Sequence, residues 1–304
     1  MKDTLDNSAI SKVLGQVVDY PDQYDPTILV RELRQNNRDH LGFDLDSLPF
    51  DGFDTWNAYE VSTLTPEGKP ITGCLKIRYS CKSPYIVESK SIKLYLNSFN
   101  MFKGWSDTSP VSVVDELVDN VTKDLSKLLE TDVVVGFISS KVMPGDPMFS
   151  NYILIDNVLF EDSEELIHYS ETPKILQGCD RAMAGVVEWH SALLKSNCRV
   201  TRQPDWGDVF LYMKGGDIPS RRAFAEYLVS FRDECHFHEE ICETMYTRLL
   251  ETFNPSALVV TCLYARRGGI DINPCRFMPN TDSSSHVPFA LGNTGIPHAK
   301  TLKQ

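Results

Sequence analysis

The sequence lacks the long apolar runs and the basic charge that several classes of protein require. No stretch approaches the ~20 apolar residues of a membrane-spanning helix, and the start, MKDTLDNSAI, lacks the apolar core of a secretory signal. The 304 residues include 30 basic and 42 acidic side chains, which gives a formal net charge of −12. An acidic surface disfavours non-specific binding to nucleic acid and anionic membranes. We therefore expect a cytoplasmic protein that binds neither directly.

Several well-known chemical motifs are missing as well. No GxGxxG follows a strand and no Walker loop is present, which excludes a Rossmann domain and a P-loop. The eight cysteines are scattered without the spacing of a disulfide framework. In a cytosolic chain such cysteines are mostly small buried hydrophobes with reduced thiols.

Hydrophobic periodicity predicts two strands, two helices and two strands in each half of the chain. In the first half the predicted elements are WNAYEVSTLT, ITGCLKIRYSC, SIKLYLNSF, VSVVDELVDNVTKDLSKLLE, DVVVGFIS and NYILIDNVLF. In the second half they are GVVEWHSALLKS, GDVFLYMKG, SRRAFAEYLVSFRDE, HFHEEICETMYTRLLETF, SALVVTCLYARR and IDINPCRF. In the long first-half helix we predict a buried stripe of Val114, Leu117, Val118, Val121, Leu125 and Leu128.

Two short repeats indicate that the halves are related modules. YLNSF at 95–99 recurs as YLVSF at 227–231, and LLET at 128–131 recurs at 249–252. Strands followed by helices predict an α+β fold with antiparallel sheets and helices on one face. We predict an irregular lead-in at residues 1–50, a first module at 51–165 and a second at 166–304.

The segment SNCRVTRQPDWGD (196–208) places a thiol and a carboxylic acid on one short loop. Cys198 would be nucleophilic only as a thiolate, and Lys195, Arg199 and Arg202 are cations close to it in sequence. A sheltered, protonated Asp205 could act as a general acid. The alternative is a buried structural cysteine followed by a turn.

Two further segments combine groups that bind metals or bases. In CHFHEEIC, Cys235, His238 and Cys242 could ligate zinc, although the segment is not HExxH. Alternatively, Glu239 or Glu240 could accept two N–H groups from a guanine-like edge, or the segment is a solvated helix face with a core cysteine.

Two other segments combine groups that suit phosphates. VESKSIKLY (87–95) lies where a strand passes into a helix, so Ser89 and Lys90 could hold a phosphate; the alternative is that Ser89 or Ser91 only caps the helix. ARRGGIDINP (265–274) suits a hairpin turn with exposed guanidinium groups, which also bind phosphates.

Taken together, ESKSIKLYLNSFN, LLKSNCRVTRQPDWG, FHEE and RRGGIDINP resemble the NADPH-dependent 7-cyano-7-deazaguanine reductases, the QueF-type nitrile reductases of queuosine biosynthesis. The resemblance covers nearly the whole chain and fits the long, two-module subfamily. It implies tandem tunnelling-fold modules, ββααββ twice, with sites at module or subunit boundaries. It also implies a homodimer, NADPH as co-substrate and no metal.

The resemblance also implies roles for single residues. Cys198 would add to the nitrile carbon to form a covalent thioimide, and Asp205 would donate a proton to the nitrile nitrogen. The deazaguanine would be contacted by Val87, Glu88, Ser89, His238 and Glu239. NADPH would be held by Ser89, Lys90, Arg267 and Gly268. Two NADPH molecules would reduce the nitrile to the aminomethyl group.

Two other functions stay open from the residues alone. One is a zinc-dependent purine hydrolase of the GTP cyclohydrolase kind, which would use the thiols and the imidazole of CHFHEEIC. The other is a purine-binding module without catalytic activity, in which Cys198 is structural.

Overall fold

The structure is a computed structural model that describes residues 23–42, 47–139, 145, 147–161, 163–177 and 182–304. Its strands are β1 (Arg31–Leu33), β2 (Asp51–Leu64), β3 (Pro70–Ser80), β4 (Tyr85–Val87), β5 (Val133–Ser139), β6 (Ile153–Leu154), β7 (Ala182–Ser191), β8 (Lys195–Cys198), β9 (Pro204–Ile218), β10 (Cys235–His236), β11 (Ala257–Tyr264) and β12 (Ile270–Phe277). Its α-helices are α1 (Gln35–Arg38), α2 (Ser89–Asn97), α3 (Pro110–Leu129), α4 (Lys174–Gln177), α5 (Arg221–Val229), α6 (His238–Phe253), α7 (Thr281–Ser284) and α8 (Phe289–Gly292). The predicted lead-in at 1–50 lies partly outside the described residues.

The main strands form one continuous sheet in the order β7-β9-β11-β12-β2-β3-β5, and all of these pairs are antiparallel. The long strand β9 also pairs with β8, and β10 adds to β8 in parallel. The two halves meet where β12 pairs with β2, from Ile270 opposite Ala58 to Phe277 opposite Asp51. One sheet therefore crosses the boundary between the modules.

The α+β class with antiparallel strands and helices on one face is confirmed. Alternate residues of the strands face two apolar cores, one beneath α2 and α3 and one beneath α5 and α6. The helix at 110–129 buries Val113, Leu117, Val121, Leu125 and Leu129. The predicted stripe is therefore right at 117, 121 and 125, while Val114, Val118 and Leu128 are half-buried beside it.

The prediction of a strand over NYILIDNVLF is wrong. Only Ile153 and Leu154 are extended, and they pair in parallel with β7, after which residues 156–160 form a 3-10 helix. Asp156 accepts the backbone N–H of Ala192, which turns the chain. The apolar residues at 155, 158 and 159 then pack against the core of the second module at helical spacing.

The other face of the sheet carries polar side chains and is covered by the C-terminal residues. Buried Lys76 donates to the carbonyl groups of Ala290 (2.5 Å) and Ile296 (2.7 Å), and Lys303 donates to that of Gly207 (2.8 Å). These bonds tie the end of the chain across both modules. Across the described residues, no helix has the length and apolar character needed to span a bilayer.

Candidate active site

A cavity of about 390 Å³ lies where the two modules meet. Every residue to which the family resemblance gives a catalytic or binding role lines this cavity. Its walls come from the β4–α2 junction, the β8–β9 loop, the start of α6 and the β11–β12 turn. The ten residues are Val87, Glu88, Ser89, Lys90, Cys198, Asp205, His238, Glu239, Arg267 and Gly268.

Strand pairing explains why these distant segments converge. Because β10 pairs with β8, His236 lies opposite Cys198, and α6 begins two residues later beside the thiol. Because β11 pairs with β9, Tyr264 lies opposite Gly207, which brings the following turn to Asp205. That turn is the predicted hairpin, with Gly268 and Gly269 at φ +58° and +79°.

The loop after β8 favours the thiolate form of Cys198. Burial opposes ionisation, but the Thr201 hydroxyl and the N–H groups of Thr201 and Val200 donate to the sulfur, and together they lower the pKa of Cys198. The negative charge of Asp205 acts weakly in the opposite direction.

Two of the three basic residues proposed from the sequence as activators of this thiol have other partners. Lys195 donates to Asn197 Oδ1 (2.8 Å), and Arg199 forms an ion pair with Glu240 (3.5 Å). The sequence analysis therefore singled out this thiol but not the groups that lower its pKa. The sequence of the loop could have revealed these donors. A hydroxyl and two backbone N–H groups two and three residues after a thiol can form an anion-binding turn.

Asp205 is 3% exposed and lies between two basic groups. Arg267 Nη1 donates to its Oδ1 at 2.6 Å, while Arg267 Nη2 donates to Gln203 Oε1 at 2.7 Å. His238 Nε2 lies 3.4 Å from the other oxygen, Oδ2. This pairing could not be predicted from the sequence, because Arg267 follows Asp205 by 62 residues.

His238 and Glu239 form the wall opposite the β4–α2 junction. The His238 ring stacks on Tyr264, with ring centroids 3.8 Å apart and planes 9° apart. Glu239 is 4% exposed, and its Oε1 has no hydrogen-bond partner among the described residues. Burial, followed by the charge of Asp54, raises the pKa of Glu239 to about 7, although Arg34 and His238 lower it. A buried carboxylate oxygen is therefore left for a ligand.

Glu88, rather than a serine, caps α2. Its carboxylate accepts the backbone N–H groups of Lys90 (2.9 Å) and Ser91 (2.7 Å). Ser91 instead bonds to the N-terminal segment, since its hydroxyl accepts the N–H of Val30 at 3.0 Å. The cap fixes the junction that carries Val87 and Ser89 into the cavity.

Basic groups at the cavity mouth suit a phosphate-bearing ligand such as NADPH. Lys90, Lys93 and Arg267 line the mouth. A Cβ at position 268 would lie 2.9 Å from Lys93 Nζ, so glycine lets this ammonium group approach the turn. Lys93 was not singled out from the sequence, although it lies one helical turn after Lys90.

Comparisons with known proteins identify the family of this chain. The family model described as "Nitrile reductase, 7-cyano-7-deazaguanine-reductase N-term" matches residues 20–137, and "QueF-like protein" matches residues 204–282. A curated NADPH-dependent 7-cyano-7-deazaguanine reductase of Rickettsia bellii is 40% identical over 94% of this chain and 97% of its own length. The reductase of Hydrogenovibrio crunogenus is 39% identical over 89% of this chain and 93% of its own.

The chain belongs to the NADPH-dependent 7-cyano-7-deazaguanine reductase family.

The structure does not bring together the zinc ligands considered in the sequence analysis, which agrees with membership of this reductase family. Cys242 is fully buried on α6, with its thiol against the carbonyl groups of Val260 and Pro274, whereas Cys235 lies outside the helix on β10. In the part of the chain that the structure describes, no three His, Cys, Asp or Glu side chains are placed to hold a metal ion.

Proposed function

We propose that this chain reduces the nitrile of 7-cyano-7-deazaguanine to 7-aminomethyl-7-deazaguanine with NADPH. The observation that carries the proposal is that the Cys198 thiol and the Asp205 carboxyl line the same cavity as Glu239, whose Oε1 has no hydrogen-bond partner among the described residues. A nucleophile, a proton donor and a base-recognition group thus face one enclosed volume.

Recognition of the base rests on Glu239 and the β4–α2 junction. The guanine-like edge offers N–H groups, which the buried Glu239 oxygen would accept. A base without those N–H groups would leave the carboxylate unpaired in the cavity, which is the basis of strong selectivity. The remaining contacts with the ring come from four other residues of the cavity lining, which are Val87, Glu88, Ser89 and His238.

Bond formation begins at the sulfur. The Cys198 thiolate adds to the nitrile carbon while a proton passes from Asp205 to the nitrile nitrogen, so that the C≡N bond becomes the C=N bond of a thioimide. Because Arg267 occupies Oδ1 of Asp205, Oδ2 is the oxygen available to that nitrogen. Covalent addition divides a difficult reduction into easier steps.

Lys90, Arg267 and Gly268, together with Ser89, hold NADPH at the mouth. When bound, NADPH supplies two electrons and a hydrogen as hydride. After the first reduction and a second protonation of nitrogen, the C–S bond breaks with both electrons returning to sulfur. The imine that remains takes a second hydride, so two NADPH and two protons convert nitrile to amine. The walls around Cys198 exclude the water that would hydrolyse thioimide or imine.

We place this reaction in queuosine biosynthesis, in the cytoplasm, with the enzyme as a homodimer. These assignments follow from the family. The role that we assign to the protein is supply of a modified base precursor rather than direct contact with tRNA.

The test mixes the protein with 7-cyano-7-deazaguanine without NADPH and records intact mass. Wild type should gain the mass of one substrate. Cys235→Ala is the matched control, because it removes a neighbouring half-buried thiol on β10, and it should gain the same mass. Cys198→Ala should gain none and lose turnover, and Asp205→Asn should bind substrate but lose most activity. An active Cys198→Ala enzyme would exclude this mechanism. If wild type forms no adduct and oxidises no NADPH, the remaining candidate is a purine-binding module without catalytic activity.

A further inference from the structure

A cluster of five charged side chains is buried directly behind the substrate wall. Arg34, Arg38, Asp54, Glu243 and Arg276 are each at most 2% exposed. Arg276 bridges Asp54 Oδ1 (2.8 Å) and Glu243 Oε1 (2.8 Å). Arg38 holds both oxygens of Glu243, at 2.6 and 2.8 Å. The cluster joins the N-terminal segment, β2, α6 and β12 in one network.

The charges of this cluster do not balance. Three guanidinium groups face two carboxylates, which leaves an excess of one positive charge in a buried site. Buried charges are stable only when they are paired. Arg34 and Arg38 each have an Nη1 without a hydrogen-bond partner among the described residues, and Arg34 is the one of the two that acts electrostatically on Glu239. Arg34 Nη2 donates to Asp54 Oδ2 at 2.8 Å, but its Nη1 has no hydrogen-bond partner among the described residues and lies 3.8 Å from Glu243 Oε1.

Glu239 is the carboxyl group that would complete the balance. It lies one helical turn before Glu243 on α6 and therefore on the same face. Its Oε1 has no hydrogen-bond partner in the described part of the chain, and neither has Arg34 Nη1; the two residues interact electrostatically. Ionised Glu239 would bring the group to three positive and three negative charges.

The segment that carries Arg34 also supports the other wall of the cavity. Strand β1 pairs with β4, with Arg31 opposite Val87, and Glu88 N donates to the carbonyl of Val30 at 2.9 Å. A segment that the sequence presents only as an irregular lead-in therefore contacts both sides of the substrate position.

We propose that Arg34 is a positioning residue that keeps Glu239 in the ionised form that recognises the guanine-like edge of the substrate, which makes the segment from β1 to α1 (residues 31–38) part of the substrate site. The inference rests on the proposed function, because it takes Glu239 as the group that accepts the substrate's N–H donors.

The groups that face Glu239 come from five elements. Arg34 on the N-terminal segment and His238 on α6 favour its ionised form, and Asp54 on β2 disfavours it. Tyr79 on β3 and Tyr264 on β11 also lie within electrostatic range, and burial raises the pKa of both phenols, so both stay neutral. Of these groups, Arg34 is therefore the permanent positive charge whose loss would most favour protonation of Glu239.

The experiment measures the affinity of 7-cyano-7-deazaguanine as a function of pH. The full chain carrying Cys198→Ala is used, so that binding is reversible, and calorimetry covers about pH 6 to 9. Adding Arg34→Met should move the midpoint of the binding profile upward by about one pH unit or more. Affinity should then fall roughly tenfold near pH 7 and recover at high pH. Adding Asp54→Asn should move the midpoint downward.

Two controls separate this effect from a loss of packing. Arg38→Met removes an equally buried guanidinium that contacts Glu243, and it should shift the midpoint clearly less than Arg34→Met does. In a Glu239→Gln background, Arg34→Met should no longer change the pH dependence. Should Arg34→Met fail to fold, the opposite shift expected of Asp54→Asn still tests the inference.

The outcomes distinguish the inference from the function it rests on. Binding by the parent protein with no midpoint shift in Arg34→Met, or an equal loss of affinity at every pH, would overturn the role of Arg34. No binding by the parent protein at any pH would instead overturn the proposed function.

Discussion

The reactivity of Cys198 is decided within four residues of chain. Burial alone would favour the thiol, yet the loop directs the Thr201 hydroxyl and two backbone N–H groups at the sulfur. The positive φ of Arg202 (58°) and the bond from Arg202 N to Cys198 O (2.9 Å) close this turn. The thiolate is therefore stabilised by hydrogen-bond donors, and the mechanism that we propose keeps these donors in place while sulfur adds to and leaves the substrate carbon.

Replacing the Thr201 hydroxyl should make the thiol less acidic. Thr201→Val keeps the shape of the side chain but removes one donor, and a hydrogen bond to a charged group contributes roughly 1.5–3 kcal/mol. We expect the pKa of Cys198 to rise by about one unit or more. The rate of alkylation by iodoacetamide, measured against pH, should shift accordingly. Thr201→Ser should restore the wild-type profile, whereas an unchanged profile in Thr201→Val would exclude this role of the hydroxyl.

Three carboxyl groups line the cavity, and they differ in their hydrogen-bond partners. Glu88 is held by the amides of its own helix, and Asp205 is held by Arg267. Glu239 alone among the three has an oxygen without a partner in the described part of the chain. These differences in bonding support the roles that we propose, in which Glu88 stabilises the start of α2, Asp205 transfers a proton and Glu239 recognises the ligand.

Among the elements, the β11–β12 turn links the catalytic acid to the cofactor position. Arg267 bonds to Asp205, and the next residue, Gly268, lies beneath Lys93 of α2. Lys93 also approaches Glu60 of β2 (3.7 Å). The turn therefore brings a carboxyl group and two phosphate-binding side chains within reach of each other.

A side chain at position 268 should weaken cofactor binding without preventing covalent addition. In Gly268→Ala the left-handed backbone (φ +58°) costs roughly 1–2 kcal/mol, and the new Cβ would meet Lys93 Nζ at 2.9 Å. We expect the KM for NADPH to rise several-fold and thioimide formation to keep its rate. Steady-state kinetics and adduct formation without NADPH measure the two effects.

Gly42→Ala is the matched control for this substitution. Gly42 has a similar φ (+74°), no atom within 4 Å of its Cβ position and no place in the cavity lining. It should cost comparable stability but leave the KM for NADPH unchanged. Equal effects of the two alanines on KM would show that the turn acts only through stability.

The long elements were predictable because the apolar residues of each repeat at the spacing of a strand or a helix, and the structure buries those residues. The strands at 51–64 and 70–80 and the helices at 110–129 and 238–253 are examples. It failed at 151–160, where apolar spacing fits a 3-10 turn equally well and Asp156 decides between them. All ten site residues share one cavity, yet Arg34 and the Arg267–Asp205 bond were not predictable, because they depend on tertiary contacts. The Thr201 donor is local to the loop after Cys198 and was overlooked.

At the scale of the whole molecule, the modules are joined by both the sheet and the buried charges. The β12–β2 pairing crosses the boundary, and Glu243 of the second half binds Arg38 of the N-terminal segment. Because these contacts belong to neither module alone, we expect the two halves to unfold together. The same contacts position the cavity, so substrate binding and global stability share one network.

Glu243 should therefore control acid unfolding. Burial would raise its pKa, but Arg276, Arg38 and Arg34 outweigh burial and lower the pKa of Glu243 from 4.5 to about 2. A folded pKa below the unfolded one means that the stabilisation is full above pH 4.5 and is lost as pH falls towards 2. That stabilisation amounts to roughly 3 kcal/mol. Glu243→Gln should remove it and destabilise the neutral protein by about 3–5 kcal/mol.

Calorimetry and urea unfolding between about pH 2 and 7 measure this effect. Wild type should unfold in a single transition whose free energy falls steeply below pH 4.5. Glu243→Gln should show a lower, flatter dependence and still a single transition. Glu251→Gln on the same helix removes an exposed carboxylate paired with Arg248 and should change stability by less than about 1 kcal/mol. Two separate transitions in wild type would contradict the joined network, because one module would then unfold while the other kept its charges buried.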